Sequence, residues 1–361
     1  MKVWLDYSTI KDWDGTLTGI PRTVYSIENA LSEIGCKFER VFINDELASF
    51  YQLPNDNVLL GKELIAANMS EGDILLSLGA TWAYASYNTE IKRLKSIGVK
   101  YYQLYYDLIP TKFPYFYEYG KGFGEYYGNI ISETLDLCDV AYFISECSKR
   151  DICAHYSGEN QFRKIVIRLG EDFEEVNTTS IENDEDYILC VGTLEKRKNQ
   201  NMLLDAYRLM LASRKRDEVP TLYLIGREGW MNGDLVFQID NDPLLSGKVQ
   251  ILKDVSDGEL ETLYKAALFT VFPSLYEGWG LPISESFKRG KACIASNSSS
   301  MIEIAPELTI LLDPYSPNVW AEKILELVSD KSKLLALNER IKAEYRPHSW
   351  KDTAQSIVNE F

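Results

Sequence analysis

"YILCVGTLEKRKNQ", residues 187–200, passes from an apolar run through a glycine and a basic turn into a stretch of helical character. The run "YILCV" is rich in the aromatic and β-branched residues that suit a buried strand, and Gly192 closes it. Helical character begins near Asn199. A strand that ends in a glycine turn ahead of a helix is the start of a βαβ unit, so the question becomes whether the pattern repeats.

It repeats on both sides. Downstream, "TLYLIG" (221–226), "KVQIL" (248–252), "LFTVF" (268–272), "ACIAS" (292–296) and "LTILL" (308–312) read as strands, each followed by a helical or turn segment. Upstream, "KVWLDY" (2–7), "FERVFI" (38–43), "DILLSL" (73–78), "VKYYQLYY" (99–106), "VAYFIS" (140–145) and "KIVIRL" (164–169) do the same. Between the first two of these, Val24, Ile27, Leu31 and Ile34 share one face of a predicted helix, with Pro21 in its first turn and Gly35 at its close. The acidic, aperiodic "EDFEEVNTTSIENDEDY" (171–187) separates the halves as a linker, and residues beyond 316 read as helices only. At 361 residues the chain exceeds the roughly 250–300 at which a single core stops growing. The expectation is α/β: two Rossmann-like, doubly wound domains whose strand C-termini face a shared cleft, where such folds bind ligands.

Bulk properties narrow the function. A net charge of −16 argues against a nucleic-acid partner as the main role. The six cysteines are scattered without a C-x-x-C pair, which suits reduced thiols. The start "MKVWLDYSTI" lacks the features of a signal peptide, and no run reaches the ~18–20 apolar residues of a membrane span. A cytoplasmic protein is expected, with peripheral attachment to a membrane left open. His155 and His348 are the only histidines, and neither sits in a nucleophile motif or a zinc-like cluster.

Four loops follow predicted strands. In "VGTLEKRKNQ", Arg197 and Lys198 lie just ahead of a helix N-terminus, where free N–H groups favour an anion such as a diphosphate; a solvated basic turn is the plainer alternative. In "FPSLYEGWGLPISESF", Glu277 precedes a turn built on Gly278, Trp279 and Gly280, and Leu281 and Pro282 open a helix that carries Glu285. A carboxylate at Glu285 can accept two hydrogen bonds from a vicinal diol such as ribose, or merely complement the helix dipole. A glycosidase-like use of Glu277 and Glu285 would need both to flank one scissile bond. Near the N-terminus, Gly15 and Gly19 precede a helix and can bring N–H groups to phosphates or an acceptor, while "DWD" (12–14) is a weak metal signal. In "YYDLIPTKFPYFYEYGKGFGEYYG", Asp107 follows a strand, and the tyrosines beyond it suit core packing, sugar stacking or a lipid surface. Ser145 and Glu146 in "FISECSKRD" fit a helix cap.

Taken in order, "VGTLEKRKN", Glu277 and Glu285 around "GWGLP", and "SNSSSMIEIA" resemble the retaining glycosyltransferases of family 4, which have the GT-B fold. The likeness covers about 187–315, and "DLIP" and "TGIPR" look like bacterial surface-polysaccharide mannosyltransferases of O-antigen type. It implies that Arg197 and Lys198 hold the donor diphosphate, that Glu285 holds the ribose, and that Glu277 lies near the transferred sugar. Gly19, Gly192, Gly278, Trp279, Gly280 and Leu281 would line the substrate, with Asp107 at the reacting centre or capping a turn. Tyr106 stands where the family usually has histidine. "RPHSWKDTAQSI" resembles the family's terminal helix. The implied domains are an acceptor-binding 1–171, a nucleotide-sugar-binding 187–345, and a helix in 346–361 that packs back on the first. The implied partners are a nucleoside diphosphate sugar, GDP-mannose first, and a glycan or lipid-linked glycan acceptor, without metal or cofactor. Another GT-B enzyme, such as a phosphorylase or epimerase, or a non-catalytic nucleotide-sugar-binding subunit, are the alternatives.

Overall fold

A computed structural model describes residues 1–11, 19–53, 64–172, 185–229 and 231–361. The chain forms two compact units: one of Met1–Lys112, Gly122–Asp172 and His348–Phe361, the other of Phe113–Lys121 and Phe173–Pro347.

The first unit is built on β1 (Val3–Asp6), β2 (Glu39–Asn44), β3 (Ser49–Gln52), β4 (Ile74–Ser77), β5 (Lys100–Tyr105), β6 (Val140–Phe143) and β7 (Arg163–Val166), in the order β3-β2-β1-β4-β5-β6-β7. Neighbours are parallel except β2 and β3. The central strands β1, β4 and β6 are buried on both faces, which is why they read as unbroken apolar runs. Tyr101 and Tyr105 enter the core with Trp4 and Phe143, whereas Tyr102 packs on Tyr142 and Phe361. Trp350–Val358, the last helix, belongs to this unit and lies against the helix Gly19–Glu33. Ser349 and Asp352 form its capping box, and Thr353 Oγ1 donates to the Arg168 carbonyl at 2.7 Å. At its far end, Tyr142 Oη donates to the Ile357 carbonyl at 2.9 Å.

The second unit holds β8 (Tyr187–Val191), β9 (Thr221–Ile225), β10 (Val249–Leu252), β11 (Thr270–Phe272), β12 (Cys293–Ser296) and β13 (Ile310–Leu312), in the order β10-β9-β8-β11-β12-β13. All neighbours are parallel. From β8 the chain winds outward through β9 and β10, then returns to β11 on the other side of β8 and winds away again. The gap between β8 and β11 is therefore the topological switch point, where doubly wound sheets open a crevice beyond the strand C-termini.

Two features depart from the sequence reading. β3 was not expected; its edge position leaves it half-buried, without a run of apolar residues to betray it. The stretch Phe113–Lys121, placed by sequence in the first domain, joins the second unit, where the Phe113 ring lies 4.9 Å from that of Tyr276.

Candidate active site

The loops after β8 and β11 meet at the switch point of the second unit. Gly192 has φ of +146°, a conformation L side chains rarely adopt, and it ends β8. The chain then makes a 3-10 turn, Lys196–Lys198, and passes through Asn199 in the left-handed region before the helix Gln200–Ser213 begins. Asn199 Nδ2 donates to the carbonyls of Pro273 at 3.1 Å and Pro314 at 2.8 Å, and the Leu275 amide donates to the Arg197 carbonyl at 2.9 Å. These bonds lock the basic turn against the loop that carries Glu277.

Arg197, Lys198 and Glu277 form one ion cluster. Arg197 Nη1 is 2.7 Å from Glu277 Oε2 and donates to the Tyr276 carbonyl at 2.8 Å, while Nη2 reaches Glu195 Oε1 at 2.6 Å. Lys198 Nζ meets Glu277 Oε1 at 2.7 Å and lies 5.0 Å over the Phe272 ring. The Glu277 side chain is 9% exposed. Burial alone would push its pKa up, but the guanidinium and ammonium outweigh it and hold the carboxyl at about 2. Arg197 is raised above its ordinary value: burial opposes the charge, and Glu277 and Glu195 overcome it. A basic turn open to solvent does not fit this burial.

A run of serines supports the same loop. Ser298 Oγ donates to the Leu275 carbonyl at 2.7 Å, Ser299 Oγ accepts from the Glu277 amide at 2.8 Å, and Ser300 Oγ donates to the carbonyls of Glu277 at 2.9 Å and Trp279 at 2.6 Å. Gly278 and Trp279 are buried within this turn. Gly280, at φ +127°, leads into the helix Leu281–Lys288, with Pro282 in its first turn. Glu285 sits in the second turn, half-buried, and its Oε2 accepts from Tyr264 Oη at 3.0 Å. The serine run was quoted from sequence only for its resemblance, and neither Glu195 nor Tyr264 was singled out. The serines and Tyr264 depend on partners 21 or more positions away, whereas Glu195 pairs with Arg197, two residues on.

The remaining candidates belong to the first unit. Asp107 Oδ1 accepts from the Ile109 amide at 2.9 Å, the geometry of a turn cap. Tyr106 is buried, and its hydroxyl donates to the Leu78 carbonyl at 2.6 Å. Ser145 caps the helix Glu146–His155 by accepting from the Ser148 amide, and Glu146 pairs with Lys149. Gly19, at φ +53°, begins its helix. Asp12, Asp14 and Gly15 lie outside the described residues. Among the described residues, no group of three or more His, Cys, Asp or Glu side chains is placed to hold a metal ion. No helix among them is long and apolar enough to cross a membrane.

Comparison with known proteins relates the chain to others. The family "Glycosyl transferases group 1" matches residues 172–344. The chain is 34% identical over 175 residues to O-antigen chain mannosyltransferase B of Escherichia coli, covering 48% of this chain and 45% of that protein. It is 25% identical over 268 residues to a serotype-specific mannosyltransferase, WbdA, of Escherichia coli, covering 71% of this chain and 32% of that protein. The chain thus spans less than half the length of these relatives. Among solved structures, sucrose-phosphate synthase of Thermosynechococcus elongatus superposes with a TM-score of 0.70 at 17% identity, over 100% of this chain and 98% of that one. HepE of Anabaena, in complex with UDP and glucose, gives 0.68 at 16% identity, over 100% and 99%. The two parallel-sheet units are those of the GT-B fold. Residues 172–344, which carry the Arg197–Lys198–Glu277 cluster at the switch point of their sheet, are similar to the glycosyl transferases group 1 family.

Proposed function

We propose that the protein is a retaining glycosyltransferase that moves a hexose, with mannose from GDP-mannose as first choice, to a hydroxyl of a glycan or lipid-linked glycan in polysaccharide biosynthesis. The observation that carries this reading is the buried cluster at the switch point, where two cations converge on one carboxylate. A diphosphate brings more negative charge and more acceptor oxygens than Glu277, so it can take over Arg197 and Lys198 as it binds. The freed Glu277 then faces the transferred sugar. As the bond to the anomeric carbon breaks, its electron pair goes to the leaving phosphate oxygen. Arg197, Lys198 and the amides opening the helix Gln200–Ser213 neutralise that charge without a metal. The acceptor hydroxyl attacks from the same face and passes its proton to the departing phosphate, so no protein nucleophile is required. Glu285 holds the ribose. The mannosyltransferase names of the relatives support the sugar, and a cytoplasmic site, peripheral at the membrane's inner face, suits a lipid-linked acceptor.

A thermal-shift panel of GDP, UDP and dTDP and their sugars tests the donor: the cognate ligand at 100 times its Kd stabilises by about 2.7 kcal/mol. Arg197→Ala and Glu285→Ala each abolish transfer while the chain stays folded; near-normal rates in either would sink the assignment. Tyr106, whose hydroxyl is committed to Leu78, favours a second reading as a non-catalytic nucleotide-sugar-binding subunit. That protein would bind the donor and turn over with no acceptor.

A further inference from the structure

Behind Glu285 stands an arrangement that neither the ion cluster nor the fold requires. Glu285 lies on the short helix Leu281–Lys288, and a glutamate in that position is ordinarily free to rotate about its side-chain bonds. Tyr264, on the helix Asp257–Ala266, is 1% exposed and donates to Glu285 Oε2 at 3.0 Å. Its ring is held in turn. The Arg289 guanidinium lies 4.5 Å over it, donates from Nε to Glu261 Oε2 at 2.7 Å, and donates from Nη1 to the Glu285 backbone carbonyl at 2.8 Å. Burial and the adjacent carboxylate keep the phenol protonated, and therefore a donor.

We propose that Tyr264 is a positioning residue for the donor ribose: its hydroxyl fixes the plane of the Glu285 carboxylate so that both oxygens meet a vicinal diol. This rests on the nucleotide-sugar reading above. Recognition of two adjacent hydroxyls is strongest when both carboxylate oxygens are aimed before the ligand arrives. Each carboxylate oxygen carries two acceptor sites, so Oε2 can take the tyrosine proton and a ribose hydroxyl together. Arg289 keeps the ring from following the carboxylate if it turns. The arrangement thus stiffens Glu285 from behind and leaves the contact with the ligand to Glu285 itself.

The test is Tyr264→Phe, which keeps the ring and its packing and removes one hydroxyl. Binding of GDP and UDP is compared with that of their 2′,3′-dideoxy forms, for the wild type and the variant. The wild type prefers the ribonucleotide, and in Tyr264→Phe that preference falls roughly fivefold, the share of one ordinary hydrogen bond. Donor KM rises with little change in kcat. In a Glu285→Ala background the tyrosine substitution changes nothing further. Equal weakening of both nucleotide forms, which a merely structural role predicts, overturns the proposal, as does an unchanged preference. A wild type that binds none of these nucleotides removes the ribonucleotide-donor reading and the role of Tyr264 with it. A wild type that discriminates while the variant keeps the same ratio removes only the latter.

Discussion

Glu277 is the residue on which the charge balance of the site turns. Its carboxyl is held at about 2 in the folded protein against an ordinary 4.5, because Arg197 and Lys198 outweigh its burial. The unfolded chain takes up this proton near pH 4.5 and the folded protein only near 2, so the stabilisation is complete above about 4.5 and fades as pH falls towards 2. Glu277→Gln is expected to lose on the order of 3 kcal/mol at neutral pH, and the deficit against wild type narrows below pH 4.5. Urea melts at pH 7, 5 and 3.5 check this, and a deficit independent of pH would refute it. Pyrophosphate should narrow the deficit too, since it can replace the missing anion between the cations. That Arg197 and Lys198 suit an anion could be read from their place before a helix. That Glu277 occupies them could not, because Lys198 and its partner are 79 positions apart.

At the level of elements, the glycine turn ahead of Leu281–Lys288 decides where Glu285 stands. Gly280 has φ of +127°, and a Cβ there would come within 3.2 Å of Ile304 Cδ1. Gly280→Ala should therefore cost about 1–3 kcal/mol and weaken GDP binding by displacing the helix start. Denaturant melts and calorimetric titration measure the two effects, and wild-type stability would show that the turn tolerates a side chain. The strand pattern was legible because apolar runs bounded by glycines and polar turns encode it locally. β3 was not, since a four-residue edge strand carries little apolar signal. Ser145 fits a helix cap by sequence and caps its helix, and Asp107, expected at the reacting centre or in a turn, accepts from the Ile109 amide.

Across the molecule, the chain leaves the first unit, builds the second and returns for its final helix. Trp350 opens that helix at 7% exposure, and a Cβ on Gly170 would lie 2.3 Å from its ring, so the glycine gives the indole a seat on the backbone. Beside it the Glu171 amide donates to the His348 carbonyl at 2.8 Å, the His348 amide donates to Glu171 Oε2 at 3.2 Å, and the Trp350 amide donates to Asp172 Oδ1 at 2.7 Å. Trp350→Ala should cost roughly 3–5 kcal/mol, as removal of a buried indole does. The loss belongs to the first unit, so hydrogen exchange should rise in β5, β6 and the helix Gly19–Glu33 while β8 to β13 stay protected. Uniform exchange across both units would contradict this.

By itself the sequence determined the parallel α/β alternation, the break between the halves, the basic turn after β8 and the two glutamates around the glycine turn. All of these are local, set by periodicity, by turn residues and by the few positions next to a strand end. Only the tertiary structure decided that Glu277 bridges Arg197 and Lys198, that Tyr264 and Arg289 back Glu285, and that Phe113–Lys121 joins the second unit. Those pairings exist because β8 and β11 are neighbours in the sheet though far apart in the chain, and adjacency of that kind comes from packing.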